Sequence, residues 1–438
     1  MTLTLPRDDL ASPEPPLAPQ TIEETGLTHG FLVELLARIM YRRGLERVSA
    51  LTQATRLSGA VVSTLMAAMR DDRLVTPMGQ LGGNMRAEMR YELTDKGRQW
   101  ALEAIARLDY TGPAPVPLVQ FRKMVKAQSV RDHRVSRDRL NAAFGDLVIP
   151  VGMLDRLGPA VNSGRSILLY GPPGNGKSSY AHALSRALGG EVFVPFAVEV
   201  DGEVILFFDP TVHNPLEPID RVDQDELDRM DGGDMRWIRC TRPAVVTGAE
   251  LTVRMLDLTF NPATRVYQAP LHMKASNGVL IVDDLGRQRE SPQQIINRLV
   301  VPMEEGVDYL ALQSGLNFQA PFDALMIFST NIAPATLVDS AGLRRIYYKI
   351  LVDRPTREDF IKIFLRVCKR YGVAPDEQAI AHLINNLYAK SEVGFAGYHA
   401  PYLIDQALAA CDYLGEERGL KIEHVNAAWS NLHVDENA

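Results

Sequence analysis

The chain has 438 residues, of which 46% are hydrophobic and 23% are charged, a balance typical of a globular protein with two or three domains. No apolar run approaches the ~18–20 residues that a membrane-spanning helix needs, so we expect no membrane insertion. Residues 1–20 lack the basic-then-apolar layout of a secretory signal, and the three cysteines have no metal-binding spacing. We therefore expect reduced thiols and a cytoplasmic location.

The net charge of −7 is unevenly distributed along the chain. Residues 1–26 carry 1 Lys or Arg against 5 Asp or Glu, whereas residues 27–145 carry 19 against 11. A basic segment joined to an acidic remainder is typical of proteins with an anionic partner, such as nucleic acid. A solvated basic face would explain the same numbers equally well, so both interpretations stay open.

The first 145 residues divide into three segments by composition and periodicity. Residues 1–26 contain five prolines and few large apolar groups, which predicts a disordered tail. Residues 27–110, called the N-terminal module below, have the apolar spacing of three helices, with Ser58 as the cap of the third. Two strands around a glycine-rich loop at 79–84 and a closing helix from Thr94 or Asp95 follow. Residues 111–145 are proline-rich and then basic, which predicts a linker.

The N-terminal module resembles a winged-helix domain, because three helices are followed by a two-stranded wing and a closing helix. Its ending, Tyr91-Glu-Leu-Thr-Asp-Lys-Gly-Arg98, is common in bacterial winged-helix regulators. Such domains read DNA with the third helix, which here offers only Ser63, Thr64 and Arg70 as polar groups. Sequence-specific DNA readout is therefore a weak prediction, and protein docking or non-specific DNA affinity fits better.

A phosphate-binding loop follows a short apolar strand at residues 166–170. The loop has the pattern G-x-x-x-x-G-K-S, and a helical pattern follows it. Backbone N–H groups of such a loop and the helix N-terminus bind phosphates, Lys177 reaches the β and γ phosphates, and the Ser178 hydroxyl ligates Mg²⁺. We predict that ATP and Mg²⁺ are bound by Gly171, Pro172, Pro173, Gly174, Asn175, Gly176, Lys177, Ser178 and Ser179.

Two carboxylates follow a second buried strand about 100 residues later. Residues 278–287 read Gly-Val-Leu-Ile-Val-Asp-Asp-Leu-Gly-Arg, with the acids at the carboxyl end of the strand, where parallel α/β sheets bind their ligands. We predict that Asp283 holds Mg²⁺ through water and that Asp284 orients or deprotonates the attacking water.

The order of these motifs resembles that of AAA+ ATPases over roughly residues 140–410. The resemblance implies a polar sensor at Asn331, after a third strand at 324–329, although a strand-ending turn also favours asparagine. It implies an arginine finger acting on a neighbouring subunit at Arg344 or Arg345, with a surface salt bridge as the alternative for either residue. Most AAA+ proteins have glutamate where Asp284 stands, so slow hydrolysis is a further expectation.

Further segments of the ATPase region have predictable elements. We predict hairpins at 192–208 with a turn at Asp201-Gly202, at 258–267 and at 308–318, and a helix at 292–305. Residues 209–242 are acidic and irregular, which predicts an exposed insertion. The helix and hairpin before residue 321 resemble those of the MoxR-type and sigma-factor-activator branch. The helical lid has no arginine in residues 394–405, and His399 is left without a role.

These observations predict an α/β fold: a P-loop AAA+ doubly wound parallel sheet at residues 146–352 with a C-terminal helical lid at 353–438, plus a winged-helix-like domain. The predicted function is an ATPase whose active form is a homo-oligomeric ring, expected to be a hexamer, which remodels a protein partner. Two alternatives remain open: an ATP-dependent DNA-associated regulator or loader, and a slow nucleotide switch.

Overall fold

The computed structural model describes residues 13–80, 89–219, 232–391 and 393–432. The N-terminal module consists of helices closed by a two-stranded antiparallel sheet. Its elements are α1 Ile22–Thr25, α2 His29–Arg43, α3 Val48–Thr55, α4 Gly59–Asp71, β1 Val75–Gln80, β2 Met89–Leu93 and α5 Asp95–Arg107. As predicted, Ser58 caps α4 and Thr94 caps α5 through their side-chain oxygens. Most of the predicted glycine-rich loop lies outside the described residues.

Part of the predicted tail is structured, which corrects the prediction for residues 13–26. The Ala18 N–H donates to the Gly232 carbonyl at 2.7 Å, and the Asp234 N–H donates to Pro16 at 2.6 Å. Thr25 is fully buried, and its carbonyl accepts a hydrogen bond from Arg236. The prolines suggested disorder, because local composition does not indicate contacts with partners that lie more than 200 residues away in the chain. Residues 1–12 lie outside the described residues.

The predicted linker at 111–145 is also part of the folded structure. It contains β3 Val116–Pro117, α6 Leu118–Ala127, a 3-10 turn at Val130–Asp132 and α7 Arg137–Ala143. Phe121 and Val125 are buried among the side chains of neighbouring strands. The basic residues occupy the outer face of α6. The basic stretch in the sequence therefore belongs to an amphipathic helix and not to a linker.

A five-stranded parallel sheet forms the centre of the ATPase region. The elements of this region are α8 Met153–Asn162, β4 Ile167–Tyr170, α9 Lys177–Leu188, β5 Glu191–Pro195, β6 Ala197–Val200, β7 Glu203–Leu206, β8 Trp237–Thr241, β9 Ala244–Thr247, β10 Thr259–Asn261, β11 Val266–Gln268, α10 Leu271–Lys274, β12 Val279–Val282, α11 Pro292–Glu305, β13 Val307–Ala311, β14 Asn317–Pro321, β15 Leu325–Thr330, α12 Pro334–Leu337, α13 Ser340–Arg345 and β16 Tyr348–Leu351. The strand order is β16-β4-β15-β12-β9, and each neighbouring pair is parallel.

The fold class predicted from the sequence is confirmed by this sheet and by the helices that follow it. The strands β4, β12 and β15 are almost entirely buried, as expected of a parallel sheet covered on both faces. The C-terminal helices are α14 Arg357–Tyr371, α15 Glu377–His382, α16 His399–Leu414 and α17 Ile422–Leu432. Thr356 caps α14, and Phe360, Phe364 and Leu403 are at the centre of their core.

A second sheet, of order β10-β11-β7-β6-β3, joins the N-terminal module to the ATPase region. Its side chains alternate between two cores because successive residues of a strand point to opposite faces. Ala197, Val204 and Val266 pack in the core of the module, whereas Val198 and Ile205 pack against α6 and the β13–β14 hairpin. The second sheet is therefore a shared layer between the two parts.

The predicted hairpins are largely present. The strands β6 and β7 turn at Asp201-Gly202, where both residues have positive φ, and β10–β11 and β13–β14 are antiparallel pairs. Two corrections apply. The start of the first predicted hairpin forms a separate strand, β5, which pairs with β8. The predicted exposed insertion at 209–242 contains β8 and the fully buried Arg236, so it is not exposed throughout.

Two further features concern the whole described chain. Among the described residues, no helix combines the length and the apolar character that a membrane span requires. Cys240, Cys368 and Cys411 are all buried free thiols.

Candidate functional site

The P-loop connects the end of β4 to the start of α9. Gly171, Gly174 and Gly176 all have positive φ, between 76° and 142°, a region that favours glycine. A Cβ atom at Gly171 would lie 2.3 Å from the Val352 carbonyl oxygen, and one at Gly174 would lie 2.1 Å from the Tyr398 ring. The glycines therefore allow both the turn of the loop and its close contacts with two other segments.

Lys177 is the first residue of α9, and its side chain folds back over the loop. Its Nζ donates to the carbonyl oxygens of Gly171 and Pro172 at 2.9 and 2.8 Å. Burial lowers the pKa of Lys177, and the nearby carboxylates of Asp284 and Asp283 oppose this shift. The ammonium group thus lies between the loop and the acid pair, in the position expected for a phosphate-binding lysine.

The acid pair follows β12 at the carboxyl end of the sheet, as predicted. Asp283 accepts hydrogen bonds from the Ser329 hydroxyl and from the Asp284 N–H, the latter at 3.1 Å. The Asp284 N–H also lies 3.2 Å from the Ser329 oxygen. These contacts fix the Asp283 carboxylate against β15. Sequence reasoning missed Ser329, for which the only signal was its place at the end of an apolar strand.

Asn331 follows β15, the strand that lies between β4 and β12 in the sheet. Its side-chain amide is 3.4 Å from a carboxylate oxygen of Asp284, a long hydrogen bond. Thr330 donates to the Leu285 carbonyl at 2.6 Å, which ties the end of β15 to the segment after the acid pair. The strand order therefore brings Asn331 to the same edge as the P-loop and the acids.

Arg344 and Arg345 both lie at the end of α13, but their environments differ. Arg345 forms an ion pair with Glu304 of α11 at 3.1 Å and donates to the Ala341 carbonyl at 2.9 Å. Arg344 is exposed and donates to the Ser340 carbonyl of its own helix at 3.3 Å. Within the described ranges, no hydrogen bond or ion pair joins either arginine to the P-loop or the acid pair of the same chain.

The start of α16 contacts the P-loop directly. The Tyr398 N–H donates to the Gly174 carbonyl at 2.9 Å, and the Gly397 N–H donates to the Asn175 side chain at 3.2 Å. His399 is buried, and its Nδ1 forms a 2.6 Å hydrogen bond with the Tyr388 hydroxyl, so it packs within the C-terminal helices.

A pocket lies between the P-loop, the segment before α8 and the C-terminal helices. Its walls include Val148, Met153, Asn175, Tyr180, Asp359 and Gly397. Burial and the carboxylate of Asp359 raise the pKa of Tyr180 to about 12, so its hydroxyl stays protonated. The pocket is continuous with the phosphate-binding loop through Asn175, and it combines apolar walls with a few polar groups, as small-molecule sites do.

Two sets of residues have the chemistry of metal ligands. Ser178 and Asp283 supply a hydroxyl and a carboxylate, which are oxygen ligands that Mg²⁺ accepts. In the C-terminal helices Cys411 lies 3.3 Å from Nδ1 of His424, while Nε2 of the same ring is 3.5 Å from Glu416. Opposite ring nitrogens face Cys411 and Glu416, although one potential ligand atom from each of the three residues lies within 4.8 Å of the others.

Comparison with known sequences gives a match to the C-terminal helices alone. A family described as a domain of unknown function (DUF8689) matches residues 356–431. The curated proteins contain no match to this sequence.

The solved structures to which this chain is similar include structures of RuvB and of NtrX. A point mutant of RuvB from Thermotoga maritima is 12% identical, with 70% of this chain and 74% of the mutant chain covered and a TM-score of 0.37. NtrX of Brucella abortus in complex with ADP is 14% identical, with 77% and 66% coverage and a TM-score of 0.40. The T. maritima RuvB Holliday junction branch migration motor is 10% identical, with 70% and 74% coverage and a TM-score of 0.34.

Proposed function

We propose that this chain is an AAA+ ATPase that binds ATP with Mg²⁺ and hydrolyses it. The observation that carries the proposal is the convergence of three strand ends. The P-loop follows β4, the acid pair follows β12 and Asn331 follows β15, all at the carboxyl edge of one parallel sheet. This edge is where α/β sheets bind ligands, and the three groups supply phosphate binding, metal binding and water activation together.

The P-loop residues bind and orient the triphosphate. Backbone N–H groups from Gly174 to Ser178 and the N-terminus of α9 offer positive potential to the phosphate oxygens. Lys177 exchanges its two carbonyl partners for phosphate oxygens, and the anionic ligand favours its protonated form. Ser178 and Asp283 would hold Mg²⁺, which would supply positive charge that neutralises the phosphates.

The acid pair and its neighbours activate water. Asp284 accepts a proton from the attacking water or orients it, and Asn331 donates to the same carboxylate and restricts its position. Ser329 plays a positioning role: its hydroxyl bond to Asp283 leaves the other carboxylate oxygen for the metal shell.

A homo-oligomeric ring completes the site with an arginine from a neighbouring subunit. We assign this role to Arg344, because Arg345 is held by Glu304 and the backbone of α13, whereas Arg344 is exposed and, among the described residues, is hydrogen-bonded only within its own helix. An arginine that reaches a γ-phosphate stabilises transition-state charge, worth about 10³–10⁵ in rate in related hydrolases.

Protein remodelling is the cellular role that the exposed surfaces favour over DNA loading. The β13–β14 hairpin exposes Tyr309 and Leu316, apolar side chains that suit contact with a protein client. Several arginines of the N-terminal module are ion-paired with carboxylates, including Arg42 with Asp109 and Arg107 with Glu34. These pairs reduce the positive potential that a phosphate backbone would need.

The proposal is tested by phosphate release from Mg²⁺-ATP by the full-length chain at increasing protein concentration. We expect turnover that rises with concentration as rings assemble and that is absent in the Lys177→Ala variant. Turnover equal to that of Lys177→Ala at all concentrations would contradict hydrolysis. For the partner, Asp284→Asn loaded with ATP should retain a protein that Lys177→Ala does not, and equal recovery would contradict remodelling.

A further inference from the structure

Two consecutive backbone N–H groups at the start of α16 bind the P-loop, one to the Gly174 carbonyl and one to the Asn175 side chain. Neither contact involves a charged group. The contact is close: a Cβ atom at Gly397 would lie 3.2 Å from the Gly174 carbonyl oxygen. The C-terminal helices are therefore attached to the loop through backbone geometry.

The Tyr398 ring covers the outer side of the loop at Gly174. A Cβ atom at Gly174 would come within 2.1 to 3.0 Å of three atoms of this ring, so the ring rests directly on the glycine backbone. Tyr398 itself remains 45% exposed to solvent. Gly174 has a positive φ of 76°, and the ring leaves no room for a Cβ atom at this position. The orientation of the loop N–H groups depends on this backbone conformation.

Tyr398 is also connected to the core of the C-terminal helices. It is the residue that precedes α16, and the next residue, His399, is hydrogen-bonded to the buried Tyr388. The Tyr388 ring packs against Phe360 at 5.3 Å and against Trp429 at 4.6 Å. A shift of Tyr398 relative to the loop would therefore move α16 and its neighbours as a unit.

The pocket beside the P-loop has walls from both sides of this contact. Asn175 belongs to the loop and Gly397 belongs to the segment before α16, and the two are hydrogen-bonded to each other. A ligand whose phosphates lie on the loop and whose remaining part enters the pocket would contact both. If such a ligand binds more tightly when the P-loop and the segment before α16 are in contact, its binding stabilises that contact.

We propose that Tyr398 is a positioning residue that couples the P-loop to the C-terminal helices, so that a nucleoside triphosphate on the loop fixes the position of α16. This inference rests on the proposed ATP binding. The coupling acts through an aromatic ring and two backbone N–H groups, and it needs no arginine. Tyr398 touches the loop and not the reacting atoms, so its loss affects nucleotide affinity more than the catalytic step.

The inference predicts a specific pattern among three variants. Tyr398→Ala weakens ATP binding about five- to tenfold, the lower range of coupling between two sites, while kcat at saturating ATP changes little. Tyr398→Phe keeps the ring and retains wild-type affinity. Tyr413→Ala is the matched control, because Tyr413 is on the same helix and is 89% exposed. Affinity lost equally in Tyr398→Phe, or unchanged in Tyr398→Ala, would overturn the role of the ring.

Hydrogen exchange of the full-length chain with and without Mg²⁺-ATP provides the direct readout. In the wild type, ATP protects amides of residues 171–178 and of residues 399–414. In Tyr398→Ala at saturating ATP, the loop remains protected and residues 399–414 lose the ATP-dependent protection. Trp429 fluorescence checks that the C-terminal helices stay folded, since this side chain packs in their core.

The possible failures are distinguishable. If the wild-type loop gains no protection, the proposed ATP binding fails and the inference fails with it. If the loop is protected but residues 399–414 are not, or if Tyr398→Ala keeps the protection of both, the ATP site stands and the coupling through Tyr398 is wrong.

Discussion

Asp284 has a φ of 50°, in the left-handed region that residues other than glycine rarely adopt. Aspartate and asparagine tolerate this region best, because their short polar side chains form hydrogen bonds with nearby groups. The glutamate that stands here in most AAA+ proteins has a longer side chain without this advantage. The local backbone therefore gives a physical reason for the aspartate.

Asparagine at position 284 keeps this backbone conformation and removes the carboxylate. We expect the Asp284→Asn variant to bind ATP as the wild type does and to lose about 10²–10⁴-fold in kcat, the usual contribution of a general base. Single-turnover phosphate release and a binding titration measure the two quantities. Retention of wild-type turnover would exclude Asp284 as the activating carboxylate.

Arg344 and Arg345 differ in their contacts, which makes them a matched pair. We expect Arg344→Ala to bind ATP normally and to lose about 10³-fold or more in turnover, because the transition-state charge loses its partner. Arg345→Ala removes the ion pair with Glu304 and the hydrogen bond to the Ala341 carbonyl, and neither contact joins the P-loop or the acid pair. Its turnover should therefore stay close to that of the wild type.

Mixed rings test whether Arg344 acts on a neighbouring subunit. Lys177→Ala and Arg344→Ala are each expected to be inactive alone. In a mixture, the P-loop of an Arg344→Ala subunit can receive the arginine of a Lys177→Ala subunit, so activity should reappear. A mixture as inactive as its components would contradict an arginine acting between subunits.

The residues of the site differ in how far the sequence could predict them. The P-loop is contiguous, so its spacing alone predicts its position between β4 and α9, and two acids after an apolar strand predict a carboxyl-end site. Ser329 and Tyr398 contact the site from elsewhere in the chain, and apart from the place of Ser329 at the end of an apolar strand their local sequence does not indicate those contacts. The sequence therefore indicates groups that lie next to one another in the chain, whereas contacts that depend on tertiary packing require the fold.

The same distinction holds for whole elements. The helix α11 has the bounds expected from the sequence because Ser291 and Gln294 form a capping box and Gly306 ends the helix with a φ of 71°. The strand β3 has only two residues, and its partners Val198 and Glu199 lie about 80 positions away. Its proline-rich sequence therefore suggested a linker.

Gly97 is the element-scale position where a small change should have a large effect. A Cβ atom there would lie 2.0 Å from the carbonyl oxygen of Leu74, the residue that directly precedes β1. We expect Gly97→Ala to lower the unfolding free energy of the N-terminal module by about 1–3 kcal/mol through overpacking. Urea denaturation followed by the fluorescence of Trp100, which lies on α5, measures this change.

Gly30 is the matched control, since it lies in α2 and has no atom within 4 Å of an added Cβ. Gly30→Ala should raise the unfolding free energy by about 0.4–1 kcal/mol, because alanine restricts the unfolded chain. The two substitutions are chemically identical and are expected to have opposite signs. A stabilising Gly97→Ala would show that α5 does not approach Leu74 as closely as described.

At the scale of the whole molecule, Arg236 joins segments that are far apart in the chain. It forms a buried ion pair with Asp234, with side-chain exposures of 1% and 3%, and it donates to the Thr25 carbonyl and to Gln120. These contacts connect the first helix, the predicted linker and the segment before β8. Arg236 therefore helps to order residues 13–26 against the ATPase region.

We expect Arg236→Ala to cost about 3–5 kcal/mol of unfolding free energy, because it leaves the buried Asp234 carboxylate without its partner. Arg239 on β8 is the control: its pair with Glu191 is exposed, so Arg239→Ala should cost about 1 kcal/mol or less. Urea denaturation followed by the fluorescence of the neighbouring Trp237 compares them. Equal costs would indicate that Arg236 is not buried as described.

The charge asymmetry of the sequence also has a different meaning at this scale. The excess of Lys and Arg in residues 27–145 suggested an anionic partner. In the folded chain, Arg42, Arg70 and Arg98 each pair with a carboxylate, and Arg122 donates to the Gln319 carbonyl. A count of charged residues describes composition. The positive potential offered to a partner depends also on which arginines are paired with carboxylates, and the fold determines that pairing.

The central claim is that the P-loop and the acid pair together bind Mg²⁺-ATP. Its most direct test is a calorimetric titration of the folded full-length chain with ATP and Mg²⁺, with Lys177→Ala as the control. The account predicts saturable binding near one nucleotide per chain, weakened when Mg²⁺ is removed and lost in Lys177→Ala. A wild-type chain that is folded, as its tryptophan fluorescence shows, and takes up no nucleotide would contradict it.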